Sequence, residues 1–326
     1  MKISRIASAI FGLSVGSVFL WLAFRGVDVG NLLAITRRCS PLLLGMAVAV
    51  YWFSMMLRIV RWHLLLNQLA EVSRARVSEV LLVGYAANTV LPARLGEVVR
   101  AAYAGRRTNA PMTEVFGSIV IERALDLVAL VICLSTGLGL YYHAGGDAMS
   151  DIGLIALNAG VMVLGAVGVI ALVRAGIFEG LIPRWLMAPY GQLRRGLRSL
   201  NGASVLQALF YTTGIWSVEI AAAALVFKAF GVELSVAQAL LMMGATALST
   251  MIPTAPGYLG TYQYVLAHFM VVFGYDREVG LVAATAIQCC FLGTVSVAGG
   301  VLALFYSTQV ASSSSPNAAK YSLGAR

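Results

Sequence analysis

Apolar residues run through this chain in blocks closed by charged or turn-forming residues, at about 6–24, 41–59, 112–141, 152–173, 203–230 and 280–306. A helix needs about 20 mostly apolar residues to cross the hydrocarbon core of a bilayer. The pattern therefore predicts an all-α polytopic membrane protein with about six spanning helices. Two further apolar stretches, 77–92 and 236–253, are short, and each ends at a proline.

Charge decides what those two stretches are. If both crossed the membrane, the basic residues Arg94, Arg100, Arg106 and Arg107 would lie opposite Arg58, Arg61, Arg74 and Arg76. That violates the bias of Lys and Arg toward the cytoplasmic side. Read instead as re-entrant helical hairpins, they leave Lys2, Arg5, the region from Arg58 to Arg107, the arginines between Arg174 and Arg198, Lys320 and Arg326 on one side. Both termini are then expected in the cytoplasm.

An internal repeat points the same way. "NTVLP", Asn88 to Pro92, matches "STMIP", Ser249 to Pro253, in character at each position, and glycine-bearing stretches follow both. One hairpin is expected to enter from the cytoplasm and the other from outside, each framed by full-length helices. Inverted repeats of this kind bring broken elements together near mid-membrane around a transport site.

Composition narrows the class further. The 326 residues are 60% hydrophobic and 11% charged, with a net charge of +9 and a mean hydropathy of +0.85. The arginines flank apolar spans, where they set orientation and meet anionic head groups; nucleic acid is rejected as a partner. Cys39, Cys133, Cys289 and Cys290 show no CxxC spacing and no pattern with His63, His143 and His268, so no metal site or disulfide framework is expected. The basic, apolar N-terminus is read as a retained helix rather than a cleaved signal. Residues 1–307 are taken as one transmembrane domain and the serine-rich 308–326 as a disordered tail.

Backbone that stops being helical inside hydrocarbon survives only where protein or a wet cavity supplies hydrogen-bond partners. Pro92 and Gly96 break the first stretch; Pro253, Pro256, Gly257 and Gly260 break the second. The first turn adds Arg94, Glu97 and Arg100, with a Glu97 to Arg100 pair allowed by helical spacing. These arginines are read either as interfacial anchors or as an anionic head-group site.

Glu122, Arg123 and Asp126 fall within an apolar run, with Glu122 and Asp126 one turn apart on one face. Ionisable groups in a span usually face a cavity or a partner. Counted back from Tyr141, Glu122 lies ~28 Å along the helix, near the inner face, where a pair with Arg58 or Arg61 is an alternative to substrate contact. Arg58 and Arg61 can form one positive ridge beside the interfacial Trp62. Glu219 and Gln288 are isolated polar groups in spans, read as cavity groups or as helix glue. Tyr258, Tyr262 and Tyr264 suit a boundary between tail and head group. No nucleotide or nucleophile motif is present, so no cofactor is expected.

The stretches "RIVRWHLLL", "NTVLPARLGEVVRAAY", "IERALDLVAL" and "IPTAPGYLGTYQY" together resemble the flippase-like membrane family named after the transmembrane region of lysylphosphatidylglycerol synthase, over about residues 9–306. The resemblance implies translocation of a phospholipid or a polyprenyl-phosphate-linked lipid across the cytoplasmic membrane, without catalysis. It marks Arg61, Asn88, Pro92, Arg94, Gly96, Glu97, Arg100, Glu122, Arg123, Asp126, Pro253, Pro256, Gly257 and Gly260. Gln263 stands where many members carry glutamate.

The expected substrate-binding set is thus Arg58, Arg61, Asn88, Arg94, Glu97, Arg100, Glu122, Arg123, Asp126, Tyr258 and Gln263, with the carboxylates balancing the arginines when the site is empty. Anionic membrane lipids are the expected partners, with membrane biosynthetic enzymes a further class. A lipid-phosphate-modifying enzyme and an accessory subunit of a lipid or glycan synthesis pathway are the competing readings.

Overall fold

The computed structural model describes residues 14–68, 71–91, 95–108, 112–142, a few positions between 175 and 194, 202–250 and 255–313. Among the described residues it is all-α and contains no strand. The helices are α1 Ser14–Phe24, α2 Val29–Arg37, α3 Pro41–Leu66, α4 Arg74–Val90, α5 Gly96–Arg107, α6 Met112–Tyr142, α7 Gly202–Ala229, α8 Val236–Ser249, α9 Thr261–Val272, α10 Arg277–Ile287 and α11 Thr294–Ser313. A 3-10 turn, Pro256–Tyr258, precedes α9, and a π-helical segment, Gln288–Gly293, joins α10 to α11.

Helix starts follow local chemistry. Ser40 caps α3 ahead of Pro41, Ser73 caps α4, and Ser235 with Gln238 forms a capping box on α8. Each side chain satisfies backbone N–H groups that a helix start leaves bare.

Three described helical stretches, Pro41–Leu66, Ala203–Ala229 and Arg277–Phe305, are long and apolar enough to cross a membrane. The 31 residues of α6 add a rod of ~46 Å. The chain is a multi-pass membrane protein. The described part of the apolar block at 6–24 is one helix, and beyond it the chain bends: α1 and α2 meet at 88°. Gly26, with φ +77°, turns the chain, and Asp28 caps α2 by accepting from the Gly30 N–H at 2.7 Å. The last helix runs past residue 307 to Ser313, because adding a residue to a formed helix is easier than starting one. The apolar block at 152–173 and the tail from 314 lie outside the described residues.

The two short stretches are halves of helical hairpins, α4 with α5 and α8 with α9. Their helices, of 12, 14 and 17 residues, reach ~18–26 Å, short of a ~30 Å core. Packing is the same in both halves of the chain. Helix α3 lies on α7, α4 on α11 as α8 on α6, and α5 on α6 as α9 on α10.

The halves are inverted. Ser40 N–H donates to Ala229 O, Ser54 meets Glu219, and Arg61 meets Thr212; as α3 advances, its partner on α7 recedes. At the centre the hairpin ends meet, where a Cβ on Gly257 would lie 3.7 Å from Thr89 Cγ2.

Candidate functional site

Where the first hairpin meets α3, α6 and α7, four guanidinium groups face four carboxylates. Helix α3 brings Arg58 and Arg61, α5 brings Glu97 and Arg100, α6 brings Glu122, Arg123 and Asp126, and α7 brings Glu219. The cluster of Arg58, Arg61, Arg100 and Arg123 with Glu97, Glu122, Asp126 and Glu219 is formally neutral. Neutrality matters because an unpaired buried charge costs several kcal/mol.

Its inner layer is sealed. Arg100 takes Glu122 with both terminal nitrogens, at 3.2 and 2.8 Å, while its guanidinium stacks 3.7 Å from the centre of the Trp62 ring. Arg61 donates to Asp126 at 2.7 Å and to Thr212 at 2.8 Å. Arg61, Arg100 and Glu122 are each at most 2% exposed. Trp62 is held in turn by its indole N–H, which donates to Ser118.

An outer layer faces a cavity of about 170 Å³. Arg58 donates to Glu219 from Nη2 and Nε, at 2.7 and 2.9 Å, and to the Tyr85 hydroxyl at 3.3 Å. Trp216 donates to Asp126 at 3.3 Å. Arg123 lies 3.2 Å from Glu97, 2.7 Å from Glu122 and 3.4 Å from Asp126. Asn88 Oδ1 and Thr246 Oγ1, on cavity-lining residues, are buried and make no hydrogen bond among the described residues.

Much of the rest of the lining is apolar. Ala223, Phe227, Leu234, Met242, Leu266 and Phe291, all from the second half, complete the wall. One side of the cavity is charged and the other greasy. The repeat accounts for part of this division: Asp126 and Glu97 of the first half correspond, at the spacing that relates Pro92 to Pro253, to Ile287 and Tyr258 of the second, whereas Arg58 corresponds to Glu219, charged in both halves.

Local backbone explains several of the glycines. A Cβ on Gly96 would overlap Asn88, so the two arms of the first hairpin touch only because that side chain is missing. Gly260, with φ +90°, has the same relation to the Gly16 carbonyl of α1, a conformation and a contact that only glycine accommodates.

The expected site residues divide into groups. Arg58, Asn88, Glu97, Arg123, Asp126 and Tyr258 line the cavity, whereas Arg61, Arg100 and Glu122 stand behind its wall. Pro92, Arg94 and Pro253 lie outside the described residues. Gln263 is buried off the cavity, where it accepts from the Gly260 N–H at 2.9 Å and donates to Gln288 at 2.6 Å. Gln288 in turn donates to the Gly257 carbonyl at 2.9 Å. This chain holds the broken turn of the second hairpin.

The expected Glu97 to Arg100 pair does not form. Both residues reach across to α6, Glu97 to Arg123 and Arg100 to Glu122, since interhelical partners near the hairpin tip outcompete a neighbour along the helix. Tyr85, Thr89, Trp216, Thr246 and Thr250 also line the cavity without having been singled out. The repeat spacing was the available signal, because it relates Thr89 to Thr250 and Tyr85 to Thr246.

A family model described as the lysylphosphatidylglycerol synthase TM region matches residues 9–299. A glycosyltransferase, AglD, of Haloferax volcanii is 24% identical over 92% of this chain and 54% of its own length; the chain thus spans about half of that relative. A UPF0104 membrane protein of Methanothermobacter thermautotrophicus is 26% identical over 90% of this chain and 93% of its own. Another, MJ1078 of Methanocaldococcus jannaschii, is 26% identical over 58% of this chain and 80% of its own.

Proposed function

Because the chain belongs to the lysylphosphatidylglycerol synthase transmembrane-region family, we propose that it is a lipid flippase. It moves an anionic phospholipid or a polyprenyl-phosphate-linked lipid between leaflets of the cytoplasmic membrane, with its termini in the cytoplasm. The observation that carries this reading is the two-sided cavity. Arginines and carboxylates, from the first half except for Glu219, form one wall, aliphatic and aromatic groups mainly of the second half the other, and both hairpin ends lie beside it. An amphiphile matches that division, with its head group against the charged wall while its chains stay in contact with the greasy one.

The inverted packing supplies a motion. Exchange of the two halves' conformations would expose the same cavity first to one leaflet and then to the other. The name of the Haloferax relative, a glycosyltransferase, supports a place beside sugar transfer. A lipid-modifying enzyme is less favoured, because Glu122 and Asp126 are engaged with arginines rather than poised as acid and base.

The test is reconstitution into liposomes carrying head-group-labelled lipids, with leaflet exposure read by a membrane-impermeant quencher. We expect faster exchange than in protein-free vesicles for at least one phosphate-bearing lipid, and loss of that gain in Ala247→Phe, which fills the cavity. Exchange at the protein-free rate across phosphatidylglycerol, phosphatidylethanolamine and a polyprenyl-phosphate sugar would overturn the reading.

A further inference from the structure

One pair in the charge cluster differs from the rest. Arg123 and Glu97 side chains are 28% and 20% exposed, whereas no other side chain of the cluster exceeds 9%. They face the cavity, and Arg123 Nε meets Glu97 at 3.2 Å. Arg100 and Glu122, by contrast, are joined twice behind the wall.

The two partners are not equally fixed. Arg123 is also held by Glu122 and Asp126 on its own helix, so it keeps its place if Glu97 leaves. Glu97 sits in the first turn of α5, has Arg123 as its ion-pair partner among the described residues, and lines the cavity into which it can turn. The start of α5 has no side-chain cap, and such an end favours an anion nearby. A lipid phosphate placed there would offer Arg123 two acceptor oxygens, as a carboxylate does.

We propose that Glu97 is a resident counter-anion that a lipid phosphate displaces from Arg123, so that this pair sets the cavity's preference for anionic head groups. The proposal rests on the lipid-transport reading but concerns binding alone. When the lipid leaves, Glu97 returns, and Arg123 is never left bare in the membrane. Arg61 and Arg100 have no such exchange open to them, because their carboxylates are sealed in.

Native mass spectrometry of the detergent-solubilised full chain, titrated with phosphatidylglycerol and separately with phosphatidylcholine, tests this. Glu97→Gln removes the competitor and should tighten phosphatidylglycerol by about fivefold, the scale of one partly exposed ion pair, with little net change for phosphatidylcholine, whose choline cation loses the displaced Glu97 carboxylate as its phosphate gains Arg123. Arg123→Gln should erase the preference, and Glu97→Gln/Arg123→Gln should behave like Arg123→Gln. Glu97→Gln alone keeps the proposal exposed to failure if Arg123→Gln does not fold. Unchanged or weaker phosphatidylglycerol binding in Glu97→Gln, or equal tightening for both lipids, would overturn it. Selective binding without translocation in liposomes would remove the flippase reading and leave this inference standing.

Discussion

Arg58 and Glu219 are 161 positions apart and bonded at 2.7 Å; the same interval carries Pro92 onto Pro253 and Gly96 onto Gly257. The two residues are therefore equivalent positions in the two halves of the chain, facing each other across the axis that relates them. One half supplies the cation and the other the anion, so a junction that strict symmetry would fill with like charges becomes an attractive one. Neutralising one partner strands the other in a buried setting, at about 3 kcal/mol. We expect Arg58→Met or Glu219→Gln to lower the melting temperature markedly in detergent, and the exchange Arg58→Glu/Glu219→Arg to recover much of it.

Arg100 tests the difference between the two layers of charge. It is bidentate to Glu122, stacked on Trp62 and hidden from the cavity. Arg100→Gln should reduce thermal stability by about 3 kcal/mol through the abandoned Glu122, while the protein that does fold keeps its ratio of phosphatidylglycerol to phosphatidylcholine binding. A changed ratio at unchanged stability would place Arg100 in the site instead.

The turn of the second hairpin depends on Gly260. Alanine there meets a backbone with φ +90° and overlaps the Gly16 carbonyl, which should cost at least about 2 kcal/mol. Thermal unfolding followed by circular dichroism should show a lowered midpoint for Gly260→Ala, and almost none of that effect for alanine at Gly45, whose added Cβ would meet nothing within 4 Å.

Opposed entry of the hairpins predicts opposed accessibility of their bases. Arg106 and Glu233 are both exposed. In a background lacking Cys39, Cys133, Cys289 and Cys290, Arg106→Cys should react with an impermeant maleimide only from the cytoplasmic side and Glu233→Cys only from outside. Labelling of both from the same side would refute the inverted arrangement in the membrane.

Much of the architecture was legible because bilayer crossing demands apolar length, and α3, α7 and the stretch Arg277–Phe305 carry it openly. The hairpins were legible from prolines and glycines placed where a continuous helix would otherwise run. The right-angle bend after α1 was not anticipated, although Gly26 followed by Asp28 carries both halves of the local signal, a turn and a cap. Partner choice was less accessible. Glu122 and Asp126 were recognisable as an interior face, but whether Arg100 bonds Glu97 or Glu122 depends on the register between α5 and α6, which no spacing within one helix contains. Gln263 looked like a cavity group because it stands where many family members carry glutamate; its bonds to Gly260 and Gln288 arise from a fold in the backbone visible only in three dimensions.

The crossing of Gly16 with Gly260 has a mechanical corollary. Backbone touches backbone there, and Phe19 packs on Tyr264 with ring centres 5.2 Å apart, so the first helix is splinted to the root of α9. No side chain lies between them to flex and absorb a displacement. Tilting of the second hairpin would drag α1 along, making the moving body a three-rod lever whose outer arm sweeps through lipid.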